Sequence, residues 1–249
     1  MSGHSKWSTI KRAKGAADAK RGALFTKLSR EIQVAARAGG GDPEMNAALR
    51  LAVSKARENN MPADNVERAI KKGTGELESA DLQEVRYEGY GPGGAAILVD
   101  GLTDNRNRTV SEVRYIFSRA GGNMAEAGAV AWVFEPRGVI MVEANGADSD
   151  DLALFAIDAG AQDVEVEDGM VEVLTEPAAF EAVRKALEKE GYKVASGEVT
   201  MSPKTTVALD DDTAVKALKL LEQLEDHDDV QRVYSNADFP DEVLAAYAG

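Results

Sequence analysis

Residues 137–202 read RGVIMVEANGADSDDLALFAIDAGAQDVEVEDGMVEVLTEPAAFEAVRKALEKEGYKVASGEVTMS, and their order of elements decides the fold. Strand-like runs fall at Gly138–Glu143, Asp163–Glu167, Met170–Thr175 and Lys193–Met201, where apolar and polar residues alternate or β-branched residues cluster. Helical runs fall at Asp150–Ala159 and Pro177–Lys189. The succession is β-α-β-β-α-β, the pattern of a ferredoxin-like unit.

Working outward, the flanks repeat the pattern. With 137–202 set aside, the chain runs from a strand at Ala95–Thr103 through a helix at Arg108–Ala120 to a strand at Gly128–Glu135. It then continues with Thr205–Leu209, a helix at Thr213–Leu224 and a strand at Val230–Ser235. This again is β-α-β-β-α-β, preceded by one more strand at Glu84–Tyr90. One split domain, 79–136 plus 203–249, with a second domain, 137–202, inserted at its middle is the economical arrangement, and Pro136 and Pro203 mark the two crossings.

Upstream the sequence turns helical. A first helix is expected from about Ala19 to Ala38, stopped by Gly39-Gly40-Gly41, with Leu24, Leu28, Ile32 and Ala35 on its buried face. Lys20, Lys27, Arg30 and Arg37 fall on roughly the opposite face. Asp42 is expected to cap a second helix with Pro43 at its first position, burying Met45, Leu49, Ala52, Val53 and Ala56. Pro62 opens a short third helix that Lys71-Lys72-Gly73 closes. The fold class is therefore α+β: a three-helix bundle over 19–78, then two ferredoxin-like α+β domains, one inserted in the other. Residues 1–18 are small, polar and basic, and read as a mobile arm.

Charge divides the chain at residue 75. Residues 1–75 hold 15 Lys and Arg against 7 Asp and Glu, a net of +8; the remainder holds 14 against 36, a net of −22. The whole-chain pI of about 4.7 hides this division. A basic module on an acidic body suits a polyanion partner met by one end only, because the body repels the same phosphates. His4, Lys6, Trp7, Lys11, Arg12 and Lys14 in the arm, with Lys20, Arg21, Lys27 and Arg30 on the first helix, are the candidate nucleic-acid contacts. Trp7 adds a ring that stacks on an exposed base.

Other motifs carry less. The third helix, with Asn65, Arg68 and Lys71 but also Asp64 and Glu67, is a poor recognition helix, since its acids repel phosphate. YEGYGPGG at 87–94 joins two strands and reads as a tight turn, because a phosphate loop needs a helix immediately after it. TDNRNRT at 103–109 offers Asp104, Asn105 or Asn107 as helix caps and two cations, Arg106 and Arg108, as a secondary phosphate or partner clamp. The acid runs at 210–212 and 225–229 read as solvated caps, without the spacing of a calcium loop. The chain has no Cys and two His far apart, His4 and His227, so neither a metal site nor a cofactor is expected. No apolar run reaches membrane-span length and the N-terminus lacks a secretory core, so the expected location is the cytoplasm and no membrane partner is foreseen.

Five blocks together resemble the YebC family: MSGHSKWSTIKRAK, RAIKKGTG, YEGYGPGG, TDNRNRTVSEVR and GAVAWVFEP. The resemblance runs the length of the chain. It implies a helical N-terminal domain followed by two α+β domains, a cytoplasmic location and no catalysis. Family members are linked to DNA binding and transcription control; others, mitochondrial relatives among them, act on the ribosome to keep translation moving through proline-rich stretches. The expectation is thus a non-enzymatic regulator of gene expression that binds DNA. The alternative is a ribosome-associated factor that binds ribosomal RNA.

If the arm and first helix neutralise about 4–6 phosphates, log affinity for duplex falls with log salt at a slope of about −4 to −5. Removing residues 1–18 is expected to flatten that slope while leaving the thermal midpoint nearly unchanged. Titrations at four salt concentrations check this; an unaltered slope would place the cations elsewhere.

Overall fold

Three helices open the computed structural model, which describes residues 18–144, 149–167 and 169–248. They are α1 (Asp18–Gly39), α2 (Ala47–Glu58) and α3 (Ala63–Thr74). Of the arm expected over 1–18, all but Asp18 lies outside the described residues. Leu28, Ile32 and Ala36 of α1 close on Leu49, Ala52, Val53 and Ala56 of α2 and on Val66 and Ala69 of α3. Three expectations fail here. The second helix starts at Ala47 and is capped by Asn46, whose Oδ1 accepts from Leu49 N–H at 3.1 Å, while Asp42 only caps a turn through Glu44 N–H. Met45 therefore precedes the helix and is 84% exposed. Asn46 wins because its amide also donates to the carbonyls of Ala35 and Gly40, tying the end of α1 to the start of α2. Leu24, expected inside, is also exposed, since the bundle core begins one turn later at Leu28.

The split domain is a sheet of four strands in the order β3-β1-β2-β9, where β1 is Gln83–Tyr90, β2 Ala96–Thr103, β3 Asn123–Ala125 and β9 Val230–Ser235. Strand β2 is buried along nearly its whole length, as its apolar run AILV requires of a central strand with both faces covered. On one face α4 (Arg106–Arg119) and α7 (Asp211–Asp226) bury Val113, Phe117, Leu218, Leu220 and Leu221. On the other, Ala96, Leu98 and Tyr234 meet Val130, Val133 and Phe134.

This arrangement corrects the sequence reading in detail. The strand order is the ferredoxin-like one, but its third position is filled by β1 from upstream rather than by Thr205–Leu209. That segment forms only a two-residue bridge, β8 (Val207–Ala208), parallel to β10 (Ala237–Asp238). Gly128–Glu135 is not a strand of this sheet either. Residues 128–133 form a loop and a short 3-10 turn, and extended backbone resumes at Phe134. The reason is Glu88. This buried residue of β1 accepts from the backbone N–H groups of Gly128, Val130 and Ala131, each at 2.7 Å, which bends the segment around one carboxylate. A terminal helix, α8 (Asp241–Ala248), was not foreseen.

In the inserted domain, β4 (Phe134–Glu143), α5 (Ser149–Asp158), β5 (Asp163–Glu167), β6 (Met170–Thr175), α6 (Phe180–Glu190) and β7 (Lys193–Pro203) give the sheet order β5-β6-β4-β7. This is the ferredoxin-like topology expected. Its core joins Ile140, Val142, Val171 and Val173 to Leu152, Phe180, Val183 and Leu187. Strands β4 and β7 pair from Phe134↔Pro203 onward, whereas β6 joins β4 only from Gly138. Residues 134–137 and 200–203 thus form a two-stranded ribbon linking the domains. Pro136 sits there at an edge, where its missing N–H costs no ladder bond.

Burial raises the proton affinity of the Glu88 carboxyl, but the three backbone donors and Arg86 outweigh it and leave the group below its ordinary 4.5. Its stabilisation is thus complete above that value and is lost as pH falls below it. Glu88→Gln is expected to cost about 1–3 kcal/mol at neutral pH through the lost charge and acceptor. It is also expected to soften the acid limb of the stability profile; urea midpoints measured against pH check both.

Candidate nucleic-acid interface

Helix α1 presents three faces with different surroundings. Leu28, Ile32 and Ala36 face the bundle core. Lys27 and Arg30 face the split domain. The Lys27 ammonium donates to the backbone carbonyl of Glu225. Arg30 donates through Nη1 to the carbonyls of Asp228 at 2.6 Å and Leu102 at 3.2 Å, and to Asp229 Oδ1 at 2.8 Å. The solvent-facing basic stripe read from the sequence is here a contact between domains.

Asp229 is the centre of that contact and is only 2% exposed. Its Oδ2 accepts from Arg108 Nη2 at 2.8 Å, Thr109 Oγ1 at 2.7 Å and Thr103 Oγ1 at 3.1 Å. Burial alone would push this carboxyl up; the hydrogen bonds from Arg108, Thr109 and Arg30 overcome that and hold it far below its ordinary range. Its backbone is placed by Leu102 N–H donating to Asp229 O at 2.8 Å, and Gly101 permits the approach, since a Cβ there would meet that oxygen at 2.7 Å. The reading of 225–229 as a solvated cap is therefore wrong at Asp229. Arg108, expected as half of a phosphate clamp, is drawn between Asp229 and Asp104 at 2.8 Å from each, while Arg106 stays exposed on the first turn of α4.

Glu112, His227 and Asp229 bring three ligand atoms within 4.8 Å of one another. Their donor atoms are committed elsewhere. His227 Nδ1 accepts from Asp229 N–H at 3.1 Å, which leaves Nε2 to bond Glu112 at 2.8 Å, and Asp229 already faces two guanidinium groups. A cation there would have to displace them.

The third face of α1 carries the feature that sequence reading undervalued. Phe25, Ser29 and Gln33, one turn apart, face Asn65, Arg68 and Lys72 of α3 across a groove of about 240 Å³. The helices converge at Gly73, where a Cβ would meet Gln33 O at 2.5 Å and Ala36 Cβ at 2.7 Å, so only glycine closes that end. Glu67, the acid that argued against this helix, pairs with Lys71 at 2.6 Å and is not among the lining residues. The signal was present as the spacing 65, 68, 72, a single helical stripe. Arg21 lies one turn before Phe25, and Lys20 lies in the first turn of α1. His4, Lys6, Trp7, Lys11, Arg12 and Lys14 lie outside the described residues.

With this geometry in view, comparison with known proteins gives the class. The TACO1/YebC protein N-terminal domain matches residues 5–76, and the TACO1/YebC second and third domain matches residues 82–237. The chain belongs to the TACO1/YebC family. A probable transcriptional regulatory protein of Dehalococcoides mccartyi is 61% identical over 99% of this chain and 98% of its own length. One from Dictyoglomus turgidum is 55% identical, with 98% of each chain covered. The crystal structure of a conserved hypothetical protein from Aquifex aeolicus is 47% identical, with a TM-score of 0.80 over 91% of this chain and 94% of that one. Among the described residues, no helix is long and apolar enough to cross a membrane.

Asp229→Ala is expected to cost about 3 kcal/mol, the low end for breaking a buried pair, because the half-exposed Arg108 can rehydrate. Hydrogen exchange should quicken around Arg30 and in the first turn of α4 together. Faster exchange in only one of the two would show that Asp229 does not couple them.

Proposed function

We propose that the protein is a non-enzymatic, cytoplasmic, nucleic-acid-binding regulator of gene expression that binds DNA, a transcriptional regulator as its relatives are named. The observation that carries the reading is the α1/α3 groove. Arg68 and Lys72 face a wall of Phe25, Ser29 and Gln33 on a module of net charge +8, attached to a body of −22. Cations, amides and one ring in a narrow channel suit a phosphodiester strand, and the acidic body orients the approach.

One feature favours the second reading, a ribosome-associated translation factor. Asn65, Arg68 and Lys72 line a groove shared with α1, and the exposed face of α3 also carries the acids Asp64 and Glu67, so it is poorly suited to lie in a major groove. A groove of this kind follows a single strand or an RNA backbone more readily than a duplex edge. The arm's Trp7 and cations serve either partner.

Arg68→Glu combined with Lys72→Glu is expected to weaken binding by about 10- to 100-fold at low salt and to reduce the log–log salt slope by about 2, with the thermal midpoint nearly unchanged. Affinities for specific duplex, random duplex and ribosomes at one salt concentration separate the readings. A preference of about 10³ or more for one duplex favours transcription. Co-sedimentation with ribosomes and no such preference favours translation.

A further inference from the structure

We propose that Trp132 is a stacking platform for one unpaired nucleobase, on a surface of the split domain separate from the bundle groove. The inference rests on the nucleic-acid reading above and adds a second contact to it. Trp132 is 68% exposed, although both its flanks are tied down. Val130 and Val133 are buried against Ala96, Leu98 and Tyr234, and the Glu88 carboxylate holds the preceding turn by three N–H bonds. The indole itself is oriented, since Nε1–H donates to Ala129 O at 3.0 Å, and the Tyr90 hydroxyl donates to the same carbonyl at 3.2 Å. Lys204 Nζ donates to the Trp132 carbonyl at 3.1 Å, placing an ammonium beside the ring's own backbone.

The chemistry of the occupant follows. With its N–H engaged, the indole has only its ring to offer, so it cannot read a polar edge, whereas every base has a face to stack. A protein partner would need a contiguous apolar patch with the tryptophan at its centre. Here the adjoining loop residues are Gly128, Ala129 and Ala131, and Tyr90 is the large exposed neighbour that the hydrogen bonding identifies. One ring held rigid, with small loop residues around it and Tyr90 alongside, suits one flat ligand. Lys204, with two N–H donors beyond the one it uses here, is placed to meet the adjoining phosphate. In intact duplex the bases are already stacked, so the site selects unpaired nucleotides, in RNA or in single-stranded DNA.

Full-length wild type, Trp132→Ala and Trp132→Phe are titrated with oligouridine and oligothymidine 12-mers and with a blunt duplex, at matched salt. The alanine variant is expected to bind both single strands about 5- to 150-fold more weakly, with the salt slope unaltered. Phenylalanine should recover most of the loss, and duplex affinity should hold. Of the chain's two tryptophans, Trp132 should supply part of the emission quenched by the single strand, so quenching should shrink in the alanine variant. Preference between the two 12-mers reports whether RNA or DNA is the source. Unchanged single-strand affinity in Trp132→Ala, or an equal loss on duplex, overturns the platform. If the Arg68/Lys72 double variant still weakens binding in that case, the proposed function stands without it. No binding by wild type to any of the three probes removes both.

Discussion

A buried carboxylate anchors the helical bundle to the split domain. Asp229 lies in the turn before the last strand of the split sheet, and its two oxygens collect Arg30 from the bundle and Arg108, Thr109 and Thr103 from the second strand and the helix after it. A carboxylate removed from water is tolerable only when its lone pairs are filled by charged or hydroxyl donors, and here they are. Because Arg30 also reaches the carbonyls of Asp228 and Leu102, the bundle is keyed to the sheet edge rather than merely resting on it. Which face of the first helix remains for a ligand is decided by this contact.

That constraint explains how the basic module divides its work. Had Lys27 and Arg30 faced solvent, the first helix would be a simple cationic rod. Their commitment to the split domain leaves the Phe25–Ser29–Gln33 stripe as the usable face, and Gly73 brings the third helix close enough to make it a groove. On the proposed reading the acidic body does more than repel phosphate. It takes up one set of cations and so fixes where the others point.

Much of the architecture was legible in the sequence, and the failures have physical causes. The inserted domain was readable because each of its elements has its own period and its four strands pair among themselves. The split domain was harder. The upstream strand fills the position that Thr205–Leu209 was expected to take, a tertiary choice that no local pattern reports. Gly128–Glu135 looked extended because Val130, Trp132 and Phe134 alternate, but Glu88, forty residues earlier, bends it through backbone hydrogen bonds. At the candidate site, the helical phase of Lys27 and Arg30 was right in placing them away from Leu28 and Ile32, yet periodicity cannot tell a solvent face from one covered by another domain. The groove was missed because Glu67 was counted as part of the reading face, when its i,i+4 partner Lys71 neutralises it away from the lining residues.

The connectivity of the split sheet also sets an order of assembly. Its second strand pairs with the last strand, so that Val99 lies against Val233 with the whole inserted domain between them in sequence. The inserted domain, whose pairings all lie within itself and its ribbon, needs nothing downstream to fold. Closing the split sheet must wait for the C-terminal strand, a contact between distant parts of the chain and hence a slow one. During synthesis, the bundle and the inserted domain can form while the edge of the second strand is still open and Arg30 still lacks its partner. The last strand of the sheet then shuts the edge and, through the turn just before it, delivers Asp229 to both arginines, so the bundle docks only after this strand has been made.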